Sequence, residues 1–150
     1  MGNIAVKLQR TASATLSVGN VTADATRPRR MQLLEAILSQ AEATPADGNT
    51  RFEFQRCTTA GTGTGVTPQM LDPGDPATEQ DALENHTIDP TLTAGAILLA
   101  IGLNQRATFR FVAQPDVPII IPATASNGLA VRTPVAALVA TTVELHLKEF

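Results

Sequence analysis

The stretch Val143-Glu144-Leu145-His146-Leu147-Lys148 decides how this chain is read. Apolar residues take every second position, and charged or polar residues take those between. A period of two sends alternate side chains to opposite faces, the mark of a β-strand with one face in a core. The same alternation recurs upstream. It runs through Ile4-Ala5-Val6-Lys7-Leu8-Gln9, and through Ala14, Leu16 and Val18 around Thr15 and Ser17. Phe52 and Phe54 interleave with Arg51, Glu53 and Gln55, and Phe109 and Phe111 flank Arg110.

Composition points the same way. The 150 residues include 20 Thr, 10 Val and 8 Ile, β-branched residues that suit a pleated, half-buried surface. Ten Gly and ten Pro punctuate the chain at short intervals. Many short runs between turn residues predict an all-β chain, an antiparallel β-sandwich or barrel. At 43% hydrophobic and 17% charged, the chain is too apolar for a disordered segment. Its length suits a single domain.

Two runs are apolar on both faces. The run 96–101 predicts a central strand covered on both sides. The run 117–122 is bracketed by Pro118 and Pro122, which donate nothing to a ladder, and predicts a short or edge strand. The segment 30–42 stays open between two readings. Its helix formers and the apolar positions 33, 34, 37 and 38 fit an amphipathic helix. Its place in an all-β chain favours a strand.

Along the chain, residues 1–28 form an N-terminal arm or the first strand or strands, and residues 29–150 the sandwich domain. Within that domain the stretch 58–93 stands out as one long loop, with room for a short strand at 86–88. It carries Gly61-Thr62-Gly63-Thr64-Gly65 and Leu71-Asp72-Pro73-Gly74-Asp75-Pro76. Loops of that length are usually functional or mobile. Beyond it, strands are expected at 96–103, 107–113, 117–122, 128–133 and 138–148. Asn104-Gln105 and Gln114-Pro115-Asp116 are turns, and Asn127-Gly128 is a hairpin signal.

Several chemistries are excluded or weakly supported. A net charge of −3 with no Trp and no Tyr argues against nucleic-acid binding. A lone Cys57 forms no internal disulfide. The longest apolar run, 94–103, is about half a membrane span, and the N-terminus lacks a signal-peptide pattern, so we expect no membrane and cytoplasmic synthesis. His86 and His146 lie far apart with no further ligand motif, so no metal and no cofactor is expected, and His146 is read as lying on the solvent face of the last strand. Cys57 reads as a packed thiol, since nothing argues for a base beside it. The glycines at 61–65 lack the Lys-Ser/Thr of a phosphate loop and read as a flexible turn. Asp72, Asp75, Glu79 and Asp81 offer carboxylates for calcium but match no EF-hand spacing and suit ordinary turns. Arg27, Arg29 and Arg30 form the basic cluster of the chain, open between a solvated strand entry and a partner interface.

Five stretches together resemble a known group. Arg56-Cys57-Thr58-Thr59-Ala60-Gly61-Thr62 is followed by Val66-Thr67-Pro68 and by Leu71-Asp72-Pro73-Gly74-Asp75-Pro76-Ala77. Asn104-Gln105-Arg106-Ala107-Thr108-Phe109-Arg110-Phe111-Val112-Ala113 and Ile121-Pro122-Ala123-Thr124-Ala125-Ser126-Asn127-Gly128-Leu129 complete the set. They resemble tailed-bacteriophage capsid decoration, or cement, proteins over roughly residues 30–150. Phe111 and Gln114-Pro115-Asp116 stand where that pattern has Trp and Pro-Gly. The resemblance implies a jelly-roll-like sandwich of about eight strands, a homotrimer, and the major capsid protein as partner on the virion surface. It carries no catalytic residue.

The leading expectation is therefore a non-catalytic virion protein that stabilises the shell at subunit junctions. Partner contacts are expected at Arg27, Arg29, Arg30, Asp72 and Asp75, within the segments 1–30 and 58–93. The alternative is a receptor- or glycan-binding module of a phage head or tail fibre. The absence of Trp and Tyr, the usual sugar-stacking side chains, counts against it. An enzyme would need a nucleophile–base pair or metal cluster that the sequence does not assemble.

Overall fold

The computed structural model describes residues 2–11, 17–40, 47–135 and 139–150. Positions Ala14, Leu16, 41–42 and 138 of the strand readings above lie outside them. The described residues form two antiparallel sheets facing one another, with no helix. One sheet contains β1 (Asn3–Arg10), β3 (Met31–Gln40), β6 (Gln69–Met70), β9 (Phe109–Val112), β10 (Ile119–Ile121) and β12 (Thr141–Glu149). The other contains β2 (Ser17–Ala23), β4 (Asn49–Cys57), β5 (Thr62–Val66), β7 (Gln80–Ile88), β8 (Leu92–Asn104) and β11 (Gly128–Arg132).

Pairing is nested from the ends of the chain inwards. β1 pairs with β12, β2 with β11, β3 with both β9 and β10, and β4 with β8. Two further pairings, β12 with β3 and β11 with β4, lock these pairs side by side. That order is a jelly roll, a long folded-over ribbon wrapped into two four-stranded sheets. The three strands β5, β6 and β7 are an insertion that widens both sheets on one side, through β7 against β2 and β6 against β1.

The core follows from the alternation. Ile4, Val6 and Leu8 of β1 and Val143, Leu145 and Leu147 of β12 point inward. They meet Val18 and Val21 of β2, Phe52 and Phe54 of β4, and Leu129 and Val131 of β11. Burial of each such side chain stabilises by about 1.5–3 kcal/mol relative to exposure. β1 lies between β12 and β6, and β2 between β11 and β7. The first 23 residues thus supply an interior strand to each sheet.

Segment 31–40 is a strand, and its helical look has a cause. Met31, Leu33, Ala36 and Leu38 are the buried positions, and the register against β12 shifts between His146 and Leu147. One extra residue in a bulged strand moves the inward set from odd to even positions. The resulting spacing of three mimics a helical period.

The strand favoured for that segment is the one found, but four expectations are corrected. The stretch 58–93 is not one loop: it holds β5, β6 and β7 and the start of β8, and the described residues form 12 strands rather than about eight. The glycines at 61–65 are largely strand, with Gly61 at φ 72° leading into β5, which pairs with β7. Run 96–101 is not central. β8 is an edge strand with Ile97 and Leu98 exposed on it, because the apolar run has a neighbour on one side only. Asn127-Gly128 does not turn a hairpin, since it joins β10 of one sheet to β11 of the other. The positive φ of 62° falls on Ser126. The run 117–122 is, as expected, a short edge strand.

Candidate functional site

Strand ends bring the five expected interface residues to one pole of the sandwich. Here β1 begins, β12 ends, β2 ends and β3 begins. Glu149 N donates to the Gly2 carbonyl at 2.9 Å and Phe150 N to the Arg30 carbonyl at 2.9 Å. Leu71 N donates to the Asn3 carbonyl at 2.8 Å, which fixes the 71–76 turn against the start of β1. In that turn Asp72 accepts the Gly74 N–H at 2.8 Å, an ordinary side-chain turn bond.

The pole is charged in both senses. Arg27, 70% exposed, pairs with Glu79 at 2.9 Å, and Arg29 lies 3.9 Å from the buried Glu149. Glu149 is held by Gln80, whose Nε2 donates to it at 2.9 Å. Asp24 accepts the Thr26 and Arg27 N–H groups, and these bonds hold its carboxyl below the usual carboxylate range. Leu71 and Phe150 are exposed among these charges, and Lys148 Nζ sits 5.1 Å over the Phe150 ring. The sequence reading missed both. Leu71 stands in a polar turn and Phe150 at the end of an alternating strand, and nothing local marks either as surface.

Beside this pole the insertion opens a groove of about 900 Å³ lined by Val66, Pro68, Met70, Leu83, Asp75 and Asp81, among others. Asp81 faces Asp24, and desolvation together with that like charge raises its pKa. Across the molecule the other edges of both sheets expose apolar side chains. These are Ile97 and Leu98 of β8, Phe109 and Val112 of β9, and Val117 before β10.

The remaining titratable residues have structural surroundings. Cys57 is buried, and desolvation pushes its thiol up to about 11, against the opposing effect of a hydrogen bond with Asn20. Such a thiol is protonated at neutral pH and is a poor nucleophile. His86 is buried on β7 beside the Ala60 carbonyl, 3.1 Å from its Nε2. Asn20 Nδ2 donates to the same carbonyl at 3.0 Å. His146 lies on the outer face of its sheet, partly exposed, 3.3 Å from Glu35 and 3.1 Å from Glu144. Glu35 also takes an ion pair from Arg110, the main reason its pKa is lowered. Among the described residues no three His, Cys, Asp or Glu side chains gather as a metal site. In particular Asp72, Asp75, Glu79 and Asp81 do not converge.

No family model matches the chain, and no curated protein does. Among solved structures, a chain from "The three-dimensional structure of Cocksfoot mottle virus at 2.7A resolution" is similar at 11% identity and a TM-score of 0.31. The match covers 98% of this chain and 92% of that one. A TM-score of that size establishes no relationship between the two. The class of the protein is therefore defined by its own strand order, an all-β jelly roll with a three-stranded insertion.

Proposed function

We infer that this chain is a virion structural protein, a capsid decoration protein that seats on the major capsid protein at subunit junctions and stabilises the shell. It performs no catalysis and acts as a homotrimer. The observation that carries this reading is the pole. Arg27, Arg29 and Arg30, Asp72 and Asp75, and Leu71 and Phe150 come from distant stretches of sequence and share one end of a rigid sandwich. Apolar side chains set among charges of both signs suit a partner surface rather than a pocket. Many modest contacts, repeated over an oligomer on a repeating shell, give avidity without a deep site. The sequence resemblance to cement proteins and the jelly-roll order support the same reading.

Co-sedimentation with empty capsids of the parent virus tests it. The wild-type chain pellets with the shells to saturation, and Leu71→Asp and Arg27→Glu lower occupancy at least tenfold while melting like wild type. Absence of wild-type binding, or unchanged occupancy of both variants, overturns the assignment.

A further inference from the structure

The two lateral edges of the sandwich are unlike, and they complement one another. On one side β8 and the split edge of β9 and β10 end the two sheets. β8 alone is 13 residues long, roughly 40 Å of strand whose outer backbone groups have no sheet partner among the described residues. Ile97, Leu98, Phe109, Val112 and Val117 stand exposed along this side. Natural proteins protect long apolar edges, or use them.

The charge at this apolar side is cationic at its tips. Arg110 is 67% exposed while its partner Glu35 is largely covered. Arg51 is likewise exposed over a buried Glu53, 2.8 Å away. The guanidinium groups therefore face outward and the carboxylates lie beneath them.

The opposite side is the groove of the insertion. Val66, Pro68, Met70 and Leu83 line it, and Asp75 and Asp81 rim it. Neither aspartate has an ion pair among the described residues. Desolvation and the like charge of Asp24 raise the Asp81 pKa, so a cation placed there favours its carboxylate.

We propose that a second copy of this chain fills the groove, its β8–β9 edge and the Arg110 side chain docking against Val66, Met70 and the Asp75–Asp81 rim. The contact is head-to-tail, because one molecule offers its edge and the next its groove. Heterologous contacts of this kind close into rings when the rotation per subunit divides a full turn. A stable interface covers about 800 Å² per partner, roughly a tenth of the 7351 Å² surface of this chain. The inference rests on the homotrimer of the proposed function and supplies its interface; the mass in solution tests it, whereas co-sedimentation tests capsid binding, so the two failures are separately visible.

Two variants leave the fold in place and remove one half each. Val112→Asp charges the apolar edge at an exposed position. Gly65→Arg fills the groove, since a Cβ at Gly65 meets nothing within 4 Å. Asp81→Arg is the second groove variant and Phe109→Asp the second edge variant. Light scattering on the purified full chain reads the mass. Wild type has three times the mass of the 15.7 kDa chain, and each variant alone falls to a single chain. Mixing Val112→Asp with Gly65→Arg restores one intact edge and one intact groove, and the mass doubles to a heterodimer. A monomeric wild type, an oligomer that survives either groove variant, or a mixture that stays monomeric overturns the proposal.

Discussion

The Arg56 guanidinium donates to the Ile120 carbonyl at 2.6 Å, and so ties β4 of one sheet to β10, an edge strand of the other. β10 is only three residues long and pairs with β3 on one side. Its hold on the molecule rests on Ile121, which is buried, and on this charge-assisted bond from across the sandwich. Arg56→Met removes the donor while keeping an apolar stem. The loss of a hydrogen bond to a charged group costs about 2 kcal/mol, a fall of roughly 6 °C in Tm for a chain this long. Hydrogen exchange at Ile119–Ile121 accelerates more than in the paired interior of β12. Uniform acceleration through both sheets would show that the bond does not hold the edge.

Cys57 gives a pH signature. Burial raises the thiol from 9.0 to about 11. The folded state therefore favours the neutral thiol. Its stabilising effect is complete below the unfolded value and is lost as pH rises from 9 towards 11. Folding stability falls by about 2 kcal/mol across that window relative to Cys57→Ala. The native thiol also resists a disulfide reagent at pH 8 and reacts only on unfolding. Fast reaction in the native protein would place the sulfur at the surface.

Two glycines predict opposite effects of the same substitution. A Cβ on Gly128 would overlap the Val21 carbonyl oxygen and press the Thr22 side chain, because β11 crosses β2 closely there. Gly128→Ala costs about 1–3 kcal/mol, the penalty of overpacking. Gly65 has open space and an ordinary φ, so Gly65→Ala stabilises by about 0.4–1 kcal/mol through the unfolded chain. Denaturant midpoints for the two variants therefore move to opposite sides of wild type.

These cases also show how far the sequence was legible. Alternation identified β1 and β12 because each buries one face, as Val143, Leu145 and Leu147 do, and it identified β4 through Phe52 and Phe54, although Glu53 and Gln55 between and beside them are buried too. It failed at β3, where the bulge beside Leu34 broke the period. It failed again at β5 to β7. Thr62–Val66 contributes mainly small residues, and β7 buries Ala82 and polar Gln80 and His86, so no apolar rhythm marks those strands. An apolar run alone does not separate a central strand from an edge strand, which is why β8 was misplaced. The five expected interface residues meet at one pole only through strand connectivity, a long-range fact absent from any local window. The opposed apolar edge and acidic groove were not visible for the same reason.

His86 supplies the last test, at the acid end. The ring is buried on β7, and its Nε2–H donates to the Ala60 carbonyl at 3.1 Å. Desolvation lowers its pKa below the ordinary 6.5, while the Ala60 bond and the charge of Asp89 oppose the shift. The folded protein thus holds the neutral ring, whereas the unfolded chain takes a proton near 6.5. A lowered folded value means that stability is complete above 6.5 and is lost as pH falls through the folded-state pKa. His86→Gln keeps an amide donor near Ala60 and removes the titration. At neutral pH the variant is the less stable, because the ring fills its site better than the amide. As pH drops, wild type loses stability faster and the gap between their urea midpoints closes. Carboxylates remote from the ring titrate equally in both chains and cancel in the difference. A gap that stays constant from neutral pH down to about 5 would mean that the ring is solvated and free to charge, and that Ala60 does not cover it.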